Sequence, residues 1–262
     1  MNQLGTEPKI CPARLGWLDV CYAWVIMTMI AENLQRLHSR IAQACRDADR
    51  PTDSVQLLAV SKTFGADAVV QAHAAGQTMF GENYIQEAVG KITELAHLPL
   101  EWHCIGPMQS NKTRLVAEHF QWAHTVDRLK IAQRLSEQRP AHLPPLNICI
   151  QVNIDGGDTK SGVAPQEALA LAQAIAPLPR LRLRGLMCIP EPAPDFIAAC
   201  AVFQRATALF DAVNAAGVPL DTLSMGMSAD LEAAVHGGST LVRVGSAIFG
   251  ARPTSLSAPE SA

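Results

Sequence analysis

The run VQLLAVSK, residues 55–62, is aliphatic at five of its first six positions and ends in Ser61 and Lys62. A short apolar run of this kind, bounded by polar residues, reads as a buried β-strand. Upstream, Leu34, Leu37, Ile41 and Ala44/Cys45 recur at helical spacing and predict a helix over about 30–48. Downstream the alternation repeats. Strands are expected at 78–83, 101–106, 122–127, 147–154, 183–190, 221–228 and 241–250, with helices between them. Asn83 with Gln86 is expected to cap one helix, Asp127 to cap helix 128–139, and Pro165 to open helix 165–176. Eight strands interleaved with helices in a chain of 262 residues predict an α/β fold. The expected form is a single (β/α)8 TIM-type barrel, which needs about 250 residues, with an extra N-terminal helix.

Composition bounds the function. The chain is 48% hydrophobic and 17% charged, enough for a sizeable core, and its net charge of −3 gives no reason to expect nucleic acid as a partner. Seven cysteines, odd in number and without a C-x-x-C pair, read as free thiols of a cytoplasmic protein. The eight histidines form no ligand pattern, so no metal is expected. Leu15 to Ile30 is apolar apart from Asp19, but its 16 residues fall short of the ~20 that a membrane-spanning helix needs. No membrane association is expected. Residues 1–28 read as a non-native or disordered extension, with translation beginning at Met27 or Met29. The barrel is then 29–252, with a disordered tail at 253–262.

In such barrels functional groups gather at the C-terminal ends of the strands. Lys62 sits there after the first strand, where partial desolvation favours the neutral, nucleophilic amine. Within SMGMSADLE (224–232), Gly226 allows close backbone approach and Ser228 is placed to cap a helix near Ala229, which suits an anion. Within VRVGSA (242–247), Gly245 and Ser246 offer a second cradle, and Arg243, between two valines, is expected to point into the barrel mouth. Closure of the barrel makes these three strand ends neighbours.

The segments LLAVSKT, FGENYIQE, EWHCIGPMQSNK, GLMCIP, SMGMSADLEAAV and VRVGSAIFGAR together resemble the pyridoxal phosphate homeostasis protein family, whose fold is similar to the N-terminal barrel of alanine racemase. The resemblance covers about 29–252 and departs from the family pattern at Phe64-Gly65, where a proline is frequent. It implies that Lys62 holds pyridoxal 5′-phosphate (PLP) as an aldimine, and that Ser228, Gly245 and Ser246 grip the phosphate. It also implies that Arg243 lies near the pyridine nitrogen, weakening the ring as an electron sink. Asn83, His103, Gln109 and Asn111 belong to family-like loops around the mouth, with Asn83 the candidate for cofactor contact. Lys160 is a further lysine at the mouth.

A PLP-dependent racemase needs a second acid/base group, and only Tyr22 and Tyr84 offer a phenol. A sugar aldolase would leave Arg243 and the paired cradles unexplained. The expectation is therefore a monomeric carrier without catalytic residues, involved in intracellular PLP homeostasis, with PLP-dependent apo-enzymes as possible partners. The alternative is a PLP-dependent amino-acid racemase or related enzyme. Intact mass of protein expressed from its native gene is expected to lack the residues before Met27 or Met29; a mass including Met1 would overturn that start.

Overall fold

The computed structural model describes residues 17–157 and 161–250, with side chains from Met29 onward. In chain order the elements are α1 (Trp17–Asp47), β1 (Gln56–Val60), α2 (Ala66–Ala74), β2 (Met79–Glu82), α3 (Ile85–Glu94), β3 (Glu101–Cys104), α4 (Thr113–His119), β4 (Trp122–Val126) and α5 (Leu129–Gln138). There follow β5 (Leu146–Gln151), α6 (Pro165–Ile175), β6 (Leu181–Met187), α7 (Phe196–Ala215), β7 (Thr222–Ser224), α8 (Leu231–His236), β8 (Leu241–Val244) and α9 (Ser246–Phe249). The strands are parallel and close in sequence order. β1 pairs with β8 through Gln56↔Leu241, Leu57↔Val242, Leu58↔Arg243 and Ala59↔Val244. This is the expected eight-stranded barrel.

Helix α1 begins well before the expected residue 30, because no glycine or proline interrupts the chain between Gly16 and Pro51. Its buried face is Ile30, Leu34, Leu37, Ile41, Ala44 and Cys45, and it packs over α8 and α9 across the β8–β1 seam. Arg40 hydrogen-bonds Glu232 on α8. Residues 1–16, the 253–262 tail and Lys160 lie outside the described residues. Helix α7 is long and apolar enough to cross a membrane, but here it is an outer barrel helix, packed on β6, β7 and α8.

Several expected details differ. Residues 245–250 leave the eighth strand, because Gly245 turns the chain and residues 246–249 close a helical turn, with Ile248 and Phe249 N–H bonded to Gly245 O. Helix α3 starts after Tyr84 without a side-chain cap, and Asn83 turns elsewhere. Asp127 pairs with Arg128 at 2.8 Å instead of capping α5. Ser228 lies in the turn before α8, whose N-cap position is Asp230.

The barrel interior is divided. Near β1, β2 and β8 it is filled by Leu58, Val60, Ile105 and Leu241, with Met79 against them. Near β3, β4 and β7 it holds buried polar His103, His124, Thr222 and Ser224, with the apolar cluster Trp122, Cys149 and Met187 beside them. β5 contributes one apolar face, while Asn147, Cys149 and Gln151 share the other. Between β6 and β7 the backbones approach so closely at Gly185 that an added Cβ would sit 1.6 Å from the Thr222 carbonyl oxygen. Neither backbone can yield without breaking the ladder. Gly185→Ala is therefore expected to lower unfolding stability by about 3 kcal/mol or more, read from the urea midpoint.

Candidate functional site

Strand β1 sends Leu58 and Val60 inward, and two residues later Lys62 has the same parity at the C-terminal mouth. The chain turns sharply there. Phe64 N–H bonds Ser61 O at 3.1 Å, and Thr63 has φ +69°. That left-handed conformation costs a non-glycine residue about 1 kcal/mol or more, and such strain collects at functional sites. The turn is anchored from behind. Ser61 Oγ donates to Glu82 Oε1 at 2.6 Å, while Lys91 Nζ donates to Glu82 Oε1 at 2.7 Å and to Ser61 O at 3.0 Å. Burial pushes the Glu82 carboxyl upward, opposed by Lys91 and the Ser61 hydroxyl.

Lys62, Asn83, Ser228, Arg243, Gly245 and Ser246 all line one cavity of ≈ 320 Å³ at this mouth, a size typical of small-ligand sites. Phe64, whose ring is tilted against that of Phe249 at 5.1 Å, forms part of its wall. Among the described residues the lining contains Lys62 and Arg243 but no Asp or Glu, a composition that favours an anion. Gly245 is required at its position: a Cβ would stand 2.9 Å from Val60 O on β1. The first N–H groups of the turn it begins have no carbonyl behind them within the helix. Gly226, at φ +93°, is likewise pressed against Ala234, and brings Met227 to Ala229 to the rim. Asn83 Oδ1 is buried with no hydrogen-bond partner among the described residues. A neighbouring cavity of ≈ 370 Å³ shares Met227 and Ala229 with this one but is lined by Glu191, Asp195, Phe196 and Asp230, without a lysine or a glycine cradle.

Arg243 is 4% exposed, and burial lowers its pKa. Its Nη1 donates to Ser224 O at 2.6 Å and Ser224 Oγ at 2.8 Å, and its Nη2 to Cys188 O at 2.9 Å. From Ser224 Oγ a buried chain continues to His124 Nδ1 (2.9 Å), then from His124 Nε2 to His103 Nδ1 (2.9 Å), and from His103 Nε2 to Glu101 Oε1 (3.0 Å). His103 is thus inside the barrel and not in a loop at the mouth, because it shares the inward face of β3 with Glu101. Gln109, with Tyr84 and Lys112, lines an adjoining pocket that shares Asn83 with the Lys62 cavity. Asn111 sits in the 3-10 turn Ser110–Lys112. The sequence reading missed Thr63, the Glu82–Lys91 anchor and the histidine chain; only the inward parity of Glu101 and His103 on one strand could have signalled the last.

The family described as the alanine racemase N-terminal domain matches over residues 32–253. A pyridoxal phosphate homeostasis protein of Pseudomonas aeruginosa is 61% identical over 226 residues, spanning 86% of this chain and 97% of that protein. Its Escherichia coli K12 counterpart is 52% identical over 229 residues, spanning 86% and 98%. Among solved structures, PipY of Synechococcus elongatus with PLP bound has a TM-score of 0.74 at 39% identity, covering 84% of this chain and 100% of that one. Alanine racemase from Corynebacterium glutamicum, at 20% identity and TM-score 0.63 over 87% of this chain and 62% of that one, shares the fold.

Burial holds the His103 imidazole below the ordinary histidine range, against the pull of Glu101, and holds His124 well below it. In the unfolded chain both rings take up protons near pH 6.5, while the folded rings stay neutral. The unfolded state then binds more protons, so stability falls as pH drops below about 6.5, with a slope approaching about 2.7 kcal/mol per pH unit for two rings. Urea midpoints at about pH 7.5 and about pH 5.5 measure this. His124→Gln is expected to remove about half of the slope, and equal slopes in the two proteins would contradict a neutral His124.

Proposed function

The chain belongs to the pyridoxal phosphate homeostasis protein family, on the alanine racemase N-terminal domain fold, and on that premise we propose that it binds PLP at the β1–β8 mouth and serves its homeostasis without turning over amino acids. The observation that carries this reading is one cavity shared by a strand-end lysine, a buried arginine and the residues that follow Gly226 and Gly245, with no acid among its described lining residues. PLP supplies an aldehyde for a lysine amine and a phosphate for an anion cradle. The residues present fit it. Gly245 keeps the rim open where a side chain would collide with Val60 O. Asn83 carries a buried acceptor in need of a donor.

Lys62 is the point of covalent attachment, held in place by the Thr63 turn and the Ser61–Glu82–Lys91 anchor. Ser228, Gly245 and Ser246 bind the phosphate through hydroxyl and backbone N–H groups. Arg243, which can only donate, faces the ring nitrogen and disfavours a proton there. A ring kept unprotonated is a poorer electron sink, which suits holding over carbanion chemistry. Among the described residues, the cavity lining offers no histidine, tyrosine, cysteine or carboxylate as a second acid/base group. Tyr84 is 57% exposed and lines a different pocket. These features support a carrier over a racemase. The protein works in the cytoplasm as a monomer and exchanges PLP with apo-enzymes, a task that requires release as well as binding.

Purified protein is expected to be yellow, and borohydride reduction is expected to leave a phosphopyridoxyl group on the peptide containing Lys62, located by mass spectrometry. Lys62→Ala should lose both colour and adduct. Alanine racemisation by the pure protein, abolished in that variant, would replace the carrier reading with an enzymatic one.

A further inference from the structure

The polar half of the barrel contains a chain of four hydrogen bonds whose ends are chemically unlike. At the cavity end stands Arg243, which can only donate; its Nη1 fills one lone pair of Ser224 Oγ at 2.8 Å. At the far end, where β3 begins, stands Glu101. Its side chain is partly exposed and accepts a hydrogen bond from Trp122 Nε1, so at neutral pH it is an ionised carboxylate that can only accept. His103 Nε2 must therefore carry the proton it presents to Glu101 at 3.0 Å. A neutral His103 then has a bare Nδ1, which accepts from His124 Nε2 at 2.9 Å. A neutral His124 in turn has a bare Nδ1, which accepts the Ser224 hydroxyl proton at 2.9 Å.

With both rings neutral, all four contacts are satisfied in this arrangement alone. Reversing His124 sets its Nε2 lone pair against that of His103. Reversing His103 sets a lone pair against the Glu101 carboxylate and two N–H groups against each other. Trp122 Nε1, donating to Glu101 Oε1 at 2.8 Å, strengthens the acceptor end.

We propose that Glu101, His103, His124 and Ser224 are positioning residues for Arg243, forming a one-directional relay that fixes the guanidinium at the cavity and so sets the electronic environment of the bound cofactor's ring. The effect on the cofactor rests on the PLP reading above; the direction of the relay does not. The guanidinium is held on one edge by Ser224 O and Oγ and by Cys188 O. Its Nε–H has no partner among the described residues, and no carboxylate among them lies within ion-pair distance of it. The relay thus joins the guanidinium to the Glu101 carboxylate through neutral groups, each hydrogen bond polarising the next, while Asp230 is the carboxylate whose charge acts on Arg243 through space. Mere filling of the barrel does not require such a chain, since the opposite half is filled by Leu58, Val60, Ile105 and Leu241.

Long-range nitrogen–proton NMR of the full chain with labelled histidine, without cofactor, reads the relay directly. Both His103 and His124 are expected to be neutral at neutral pH, with the proton on Nε2. An Nδ1–H tautomer or a cationic ring at either position overturns the relay. This arm needs neither a variant nor PLP, so it fails separately from the functional reading.

With PLP added, His124→Leu is expected to shift the visible absorption band of the bound cofactor and to weaken binding about tenfold, as loss of support for a charged hydrogen-bonding group would. His124→Gln offers an oxygen to Ser224 and an N–H to His103, and is expected to keep the wild-type band. A wild-type band and affinity in His124→Leu would overturn the effect on the cofactor, as would a band in His124→Gln displaced as far as in His124→Leu. Failure of the wild-type protein to take up PLP would overturn the functional reading and, with it, that effect.

Discussion

The hydrogen-bonded pairing of the first strand with the last is the contact on which the remaining structure depends. Leu58 lies beside Arg243 and Ala59 beside Val244, so the chain leaving β1 at Lys62 and the chain leaving β8 at Gly245 emerge side by side. The approach is close enough that Gly245 has no room for a side chain against Val60 O. In an open sheet these two ends would stand on opposite edges, and a lysine on one could not share a cavity with an anion cradle on the other. Helix α1 reinforces the seam from outside, through its apolar face and through Asn33 Nδ2, which donates to Ile248 O at 2.8 Å.

Two buried polar systems meet at this mouth, and they act on different groups. The Glu82–Lys91 pair lies behind the sheet, between β2 and α3, and holds the Ser61 end of the turn that carries Lys62. The histidine chain lies within the barrel and reaches Arg243. Both place charge in a low-dielectric interior, which is tolerable only where hydrogen bonds are nearly complete. Glu82 Oε2 has no partner among the described residues, which agrees with the upward displacement of that carboxyl by burial.

Much of the fold could be read from the chain because parallel barrels advertise themselves locally. VQLLAVSK, EWHCIG and LVRV have strand character, and the apolar stripe Leu34, Leu37, Ile41 predicts the buried face of α1. The caps were harder to read. Asn83 and Asp127 satisfy capping statistics, yet their side chains turn to the cavity wall and to Arg128, since local preference is worth only about 1 kcal/mol and tertiary contacts override it. VGSAIFG read as continuous strand because its apolar residues suit either state; the turn at Gly245 decides it.

What the residue order determined by itself was the alternation of strands and helices, the parity that turns Lys62 and Arg243 inward, and the glycines where the rim must be open. These depend on chemistry within a few residues of each position. Only the tertiary structure decided that His124 meets Ser224, one hundred residues away, or that Lys91 supports the turn at Ser61. Such contacts join different strands and helices across the barrel, and no local pattern encodes a partner that closure alone brings within hydrogen-bonding reach.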